Sequence, residues 1–185
     1  MRVQCSCGQV KAEIKNFPNN TLGRLVCYCD DCQKFLKEIN RTELLDEYGG
    51  TEIVPIYPKD LEIIEGKDKL ECLRLTSKGL FRWYTSCCKT PFGNLRPGFP
   101  WLGLLSQVFE SSDFKELGPI RCRVAGKFAK KTPPPGTPDN LKFKDISVLL
   151  PFIIKGFLFK KSTPSEYFIE DHKTPFVSPQ IINRG

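Results

Sequence analysis

The sequence predicts a mainly β protein, a β-rich α+β fold with one short early helix and a helical or irregular C-terminal extension. Three observations predict it. Many short runs either alternate apolar with polar residues or are apolar throughout, and turns rich in Gly, Pro and Asn separate them. Only one early segment repeats its apolar residues at helical spacing. Seven of the nine cysteines fall into three tight clusters, Cys5 and Cys7, Cys27, Cys29 and Cys32, and Cys87 and Cys88, placed where strands meet turns.

Taken in order, Val10, Ala12 and Ile14 alternate with Lys11, Glu13 and Lys15, the period of a half-buried strand. Cys5-Ser6-Cys7-Gly8 precedes it as a turn, so Arg2 to Lys15 reads as a hairpin with two thiols at its tip. Gly8 can adopt the positive φ that a tight metal-binding turn needs. Gly23 to Val26 forms a short strand leading into Cys27-Tyr28-Cys29-Asp30-Asp31-Cys32. Phe35, Leu36 and Ile39 then predict a helix over Asp30 to Asn40, capped by Asp30 or Asp31, with the thiolates at its N-terminus favoured by the helix dipole.

Strands follow at Thr51 to Tyr57, Leu61 to Gly66, Leu70 to Leu75 and Leu80 to Tyr84, the last running into Cys87-Cys88-Lys89-Thr90-Pro91. Phe99 to Leu105 is strongly apolar and is expected to pack over the sheet. Lys130 to Pro138, with Pro133-Pro134-Pro135-Gly136, is the best candidate linker. Ile146 to Phe159 is the most hydrophobic run, interrupted by Pro151, Lys155 and Gly156, and too short to span a bilayer. It reads as a helix docked on the body, or as an interfacial segment flanked by Lys142, Lys144, Lys160 and Lys161. The tail, with Pro164, Pro175 and Pro179, reads as irregular. The organisation expected is a zinc-binding β domain over residues 1–129 and a packed Pro-rich, basic and apolar extension over 130–185.

At 185 residues, 40% hydrophobic and 26% charged, the chain is long enough to bury a core. Met1-Arg2-Val3-Gln4-Cys5 has no apolar signal region, so the expected compartment is cytoplasmic, where clustered thiols read as metal ligands before disulfides. Residues 1–120 hold 16 Lys/Arg against 16 Asp/Glu, so the whole +7 lies in residues 121–185, with 12 against 5. A basic tail of this kind suits an acidic lipid surface, nucleic acid or a partner protein, or is simply a solvated face. No Gly-rich phosphate loop is present, and the single histidine, His172, reads as a surface residue, so phosphate-loop and Ser-His-Asp chemistries are unsupported. Arg82-Trp83-Tyr84 mixes charge with aromatics as nucleic-acid binders do, but sheet packing explains it equally well.

The clusters suggest two metal sites. Cys5, Cys7, Cys87 and Cys88 supply four thiolates, the complement of a closed structural zinc, and would staple distant parts of the chain. Cys27, Cys29 and Cys32 supply three, which leaves one position for water or substrate. Three thiolates make the metal a weak Lewis acid but a soft site, which favours a thiol or thioether over a peptide or phosphate. In the alternative reading, Cys72 or Cys122 completes the triplet as a purely structural site, or the thiols hold no metal.

In this order the clusters resemble the glutathione-dependent formaldehyde-activating enzyme family, which includes centromere protein V. The matching residues are Cys5-Ser6-Cys7-Gly8, Cys27-Tyr28-Cys29-Asp30-Asp31-Cys32-Gln33, Cys87-Cys88-Lys89-Thr90-Pro91 and the connecting Tyr57 to Gly66, within residues 1–95. The resemblance implies twisted antiparallel sheets around a structural zinc on Cys5, Cys7 and Cys88. It implies a second, labile zinc on Cys27, Cys29 and Cys32, and a carbon–sulfur lyase acting on glutathione–formaldehyde adducts. The late cysteines depart from the family: they are adjacent, with Thr85 where the family has the first of a spaced pair and Cys87 standing in for it. The expected cofactor is two zinc ions and the expected partner a small thiol such as glutathione, with Arg24 and Lys34 offered for its carboxylates. The alternative function is a non-enzymatic zinc-stabilised module that contacts protein, nucleic acid or membrane through its basic C-terminal part.

Overall fold

The computed structural model describes residues 1–140 and 143–182, apart from the side chain of residue 144. The predicted fold class holds: two β-sheets with a few helices. The smaller sheet has the order β1-β2-β5, from β1 (Arg2–Gln4), β2 (Lys11–Ile14) and β5 (Leu61–Glu65). The larger has eight strands in the order β10-β3-β4-β9-β8-β7-β6-β11. These are β3 (Arg24–Cys27), β4 (Thr51–Ile56), β6 (Leu70–Arg74), β7 (Phe81–Thr85), β8 (Pro91–Leu95), β9 (Leu102–Leu105), β10 (Ile120–Val124) and β11 (Gln180–Ile181). The helices are α1 (Asp30–Glu38), a single turn α2 (Phe114–Leu117) and α3 (Phe143–Leu158).

Most pairings are antiparallel, but β10 joins β3 and β11 joins β6 in parallel, so the large sheet is mixed at both edges. Four strands lie outside the sequence expectation or differ from it. Leu102–Leu105 does not pack over the sheet; as β9 it lies inside it, between β4 and β8. A strand covered on both faces has no alternation to show, and all four of its residues are buried. Strand β8 begins on a proline and contains Gly93 and Asn94, residues of low strand propensity, and sheet pairing overrides them. Strands β10 and β11 are edge strands formed by chain segments far from their partners in sequence.

Inside faces of the two sheets build one core. Val3, Ala12, Ile14 and Leu61 come from the small sheet, and Val54, Trp83, Phe92, Leu95 and Leu104 from the large one. The tail enters this core. Tyr167 is fully buried, packs 5.0 Å from the Trp83 ring and donates its hydroxyl to the Phe92 carbonyl at 2.6 Å. The Pro-rich stretch is tied down as well: Lys130 N–H donates to Tyr48 O, and Gly126 N–H to Pro138 O.

Helix α1 forms where the 32/35/36 spacing places Cys32, Phe35 and Leu36 on the inner side. Its cap is Cys29, whose sulfur accepts from Cys32 N–H at 3.4 Å, and not Asp30 or Asp31, which fall in the first turn and favour the positive end of the helix dipole. Helix α3 docks through Phe152, which stacks on Tyr57 at 4.2 Å and accepts the Tyr57 hydroxyl on its carbonyl at 2.9 Å. Gly156 permits the close approach: a Cβ there would sit 2.5 Å from Pro100 Cβ and 2.8 Å from Tyr57 Cε1. Lys161, just past the helix, pairs with the buried Asp60 at 2.9 Å. Of the four lysines expected to flank the apolar run, Lys142 and the side chain of Lys144 lie outside the described residues. Among the described residues, no helix is long and apolar enough to cross a membrane.

Candidate metal centres

The β1–β2 hairpin carries Cys5 and Cys7 in a turn closed by Gly8 N–H to Cys5 O, with Gly8 at φ 72°. The β7–β8 turn carries Cys87 and Cys88. Lys89 there takes a left-handed φ of 54°, and its N–H donates to Thr85 O. All four sulfurs lie within 4.8 Å of one another. The separations are 3.5 Å for Cys5–Cys7, 3.9 Å for Cys5–Cys87, 3.3 Å for Cys7–Cys87 and 3.8 Å for Cys87–Cys88. Four thiolates at zinc–sulfur distances of about 2.3 Å stand about 3.8 Å apart at the corners of a tetrahedron, so this donor set fits a closed tetrahedral site.

The surrounding polar groups favour the thiolate at Cys88, whereas burial pushes the Cys5 thiol up. Cys5 Sγ accepts from Val10 N–H at 3.3 Å. Thr85 and Thr90 hydroxyls lie 3.3 and 3.1 Å from Cys88 Sγ. Burial works against ionisation of Cys88, but these two hydroxyls and the Cys7 backbone outweigh it and lower its pKa to about 5. Thr90 also ties the two turns together by accepting from Ser6 N–H at 3.0 Å.

The central triplet sits where β3 leaves the sheet and α1 begins. Its three sulfurs lie within 4.8 Å of one another, and among the described residues no further Cys, His, Asp or Glu donor joins that group. Cys72 is on β6 and buried in the main core. Cys122 packs against the same apolar cluster as the triplet, but its sulfur is not one of the grouped donors. His172 borders a different hollow, beside Lys15 and Lys59. Hydrogen bonds from Cys27 and Cys29 hold the Cys32 thiol well below its ordinary pKa; burial opposes this, and the Arg82 guanidinium adds to it. Cys27 is pushed strongly up because it shares its proton with Cys29 and Cys32 and is itself desolvated. A metal that takes all three displaces those protons.

All three cysteines line a cleft of about 430 Å³ whose wall is largely apolar, with Leu25, Ile53, Phe99 and Trp101 among its residues. Its polar groups are Arg82, Asn94, Arg96 and Asp31. Arg82 is 2% exposed, lies 3.7 Å from the Asp31 carboxylate, sits over the Phe35 ring and leaves Nη1 without a hydrogen bond. Asn94 Oδ1 is likewise buried without a donor. Arg24 and Lys34 do not line the cleft. Arg24 makes a bidentate pair with Glu52 at 2.7 and 3.1 Å and donates to Gly118 O, a structural commitment that removes it from ligand binding. Sequence reasoning missed Arg82 and Asn94 as residues of this site; Asn94 carried no signal. For Arg82 the available signal was a charge in the middle of Phe-Arg-Trp-Tyr, a strand buried along its whole length.

Fold and site together define a β-rich protein with two cysteine clusters able to hold metal ions, one closed and one opening on a cleft. The chain belongs to DUF6151, a family of unknown function whose model matches residues 1–175. None of the curated proteins matches it. Among solved structures, it is similar to the crystal structure of a Rhodobacter sphaeroides protein, a structural-genomics target. The two are 18% identical with a TM-score of 0.46, over 65% of this chain and 97% of that one.

Proposed function

We propose that both clusters hold zinc and that the central one is an open site for a thiol or a thiol adduct, in the manner of a carbon–sulfur lyase acting on glutathione–formaldehyde-like adducts. The observation that carries this reading is the three-sulfur group facing a cleft with no fourth donor among the described residues. The order and spacing of the cysteines, which resemble the glutathione-dependent formaldehyde-activating enzymes, supply the choice of substrate. Zinc on three thiolates, when bound, supplies a soft position that accepts sulfur and stabilises it as thiolate.

The chain's own residues do the rest. Arg82 Nη1 is a buried cationic donor and suits the thiolate sulfur or a carboxylate of the ligand. Asn94 Oδ1 is a buried acceptor and suits a hydroxyl or amide N–H of the adduct. Trp101, Phe99 and Ile53 give the cleft an apolar lining, which lowers the local dielectric and strengthens both interactions. In the cleaving direction the carbon–sulfur bond of a hydroxymethyl thioether breaks and its electron pair stays on sulfur. The hydroxyl proton leaves to water, and the carbon departs as a carbonyl.

The test is exchange NMR of glutathione and formaldehyde with zinc-loaded protein. Adduct exchange faster than in buffer, lost in Cys27→Ser together with about one zinc per chain, is the expected result. No acceleration at full loading removes the lyase reading and leaves a metal-stabilised binding module.

A further inference from the structure

Helix α3 is apolar on both sides. Its inner side carries Phe152, Leu149 and Val148 against the body. Its outer side carries Phe143, Ile146, Leu150, Ile154, Phe157 and Leu158, which are 42–86% exposed. Their spacing of three, four, four, three and one residues keeps them on one broad stripe. Phe159 extends it past the helix end, at 63% exposure. Seven of the eleven large apolar side chains exposed among the described residues thus fall within residues 143–159. A helix with apolar residues on its exposed side as well as its packed side invites cover on both, and a continuous exposed apolar patch marks an interaction surface.

Two features choose the occupant. The first is charge. All of the chain's net +7 lies in residues 121–185, and Lys155 and Lys160 are exposed on and beside the stripe. Lys59 is exposed at the same end, where its N–H donates to Lys161 O. A second copy seated face to face would bring like charges together, whereas an anionic surface complements them. The second is the shape of the end. Phe157 and Leu158 are consecutive in the helix, so their side chains point about 100° apart, and Phe159 follows in the turn beyond it. One protein groove meets a single side of a helix, but a hydrocarbon layer takes all three at once, with the lysine stems reaching back to the headgroups.

We propose that the outer face of α3 is a membrane-docking surface that inserts shallowly into an anionic lipid leaflet, its C-terminal end deepest, with Lys59, Lys155 and Lys160 against lipid headgroups. This assignment is independent of what the cysteine clusters hold. It is peripheral docking, in keeping with the absence of a membrane-crossing helix among the described residues.

Sedimentation of the full chain with large vesicles tests it. Vesicles of equimolar phosphatidylcholine and phosphatidylglycerol should carry the protein down, vesicles of phosphatidylcholine alone should carry far less, and added salt should release it. Leu158→Glu and Ile154→Glu should each weaken binding at least tenfold, and Lys160→Ala roughly fivefold. All three residues are solvent-exposed, so the variants should keep the parent's thermal melting, which is measured alongside. Absence of vesicle binding at low salt overturns the proposal, as does binding that Leu158→Glu and Ile154→Glu leave unchanged. A concentration-dependent dimer in sedimentation velocity that Ile154→Glu dissolves also overturns it, by assigning the face to a second copy.

Discussion

Arg82 on β7 and Asn94 on β8 are register partners across an antiparallel pair; both residues line the cleft that the triplet shares, and each holds one polar atom buried from solvent without a hydrogen bond. Directly opposed residues share a face of the sheet, so the two form one polar patch in a largely apolar wall that also carries Asp31 and Arg96. Burying a cation and an amide oxygen unsatisfied is costly. The expense is explained if a ligand completes them.

Arg82→Met and Asn94→Ala should therefore weaken thiol binding while leaving metal content intact. A hydrogen bond to a charged group is worth about 1.5–3 kcal/mol, so Arg82→Met should raise the Kd for glutathione by roughly ten- to a hundredfold, and Asn94→Ala by less. Calorimetric titration checks this, with metal analysis of each variant. Unchanged affinity in both would assign the patch a purely structural role.

Loss of the outer cluster should cost stability, and loss of the triplet should not. The outer sulfurs join residues 5–7 to residues 87–88, far apart in sequence. A cross-link closing a loop of that length contributes about 4 kcal/mol. Cys5→Ser should lower the melting temperature clearly. Cys27→Ser links only neighbours in sequence and should change melting little. A chelator should strip the open site first.

Gly156→Ala should loosen the docking of α3. The added Cβ meets Pro100 and Tyr57 within 3 Å, both parts of packed walls. Overpacking of this kind costs about 1–3 kcal/mol, and faster amide exchange over residues 143–158 should report it. Equal protection in the variant would show that the contact yields easily.

Alkaline titration should release the same helix. Burial first, and then the nearby Asp60 carboxylate, raise the Tyr57 pKa to about 12, from 10. The folded state holds the proton more tightly, so this contribution is complete below pH 10 and is lost as pH rises toward 12. Tyrosinate absorbance should show a late step in that window. Tyr28, Tyr84 and Tyr167 are also raised by burial, so Tyr57→Phe should remove one tyrosine's share of the late absorbance, and an unchanged amplitude would assign the step to the other three.

The local elements were readable because local chemistry dictates them. Alternation in Val10 to Lys15 predicts β2, and the Phe35, Leu36 and Ile39 spacing predicts α1 to within two residues of its end. Strand β9 was not readable as a strand, because burial on both faces erases the period that announces one. Edge strands β10 and β11 were hidden for another reason: their parallel partners lie far away in sequence, and nothing within five residues of Cys122 or two of Gln180 announces the pairing.

The sequence by itself determined that seven cysteines sit in three clusters at strand ends, four and three if the outer two combine, because thiol spacing at turns is a local property. Tertiary structure alone decided that the outer two combine, since pairing of β7 with β8 and packing of the two sheets carry Cys87 and Cys88 to the β1–β2 turn. It alone decided that the triplet faces a cleft rather than a filled core, and that Arg82, not Arg24, stands beside it. Which charge meets which sulfur depends on strand register, and register is a relation between distant segments that no single stretch of chain encodes.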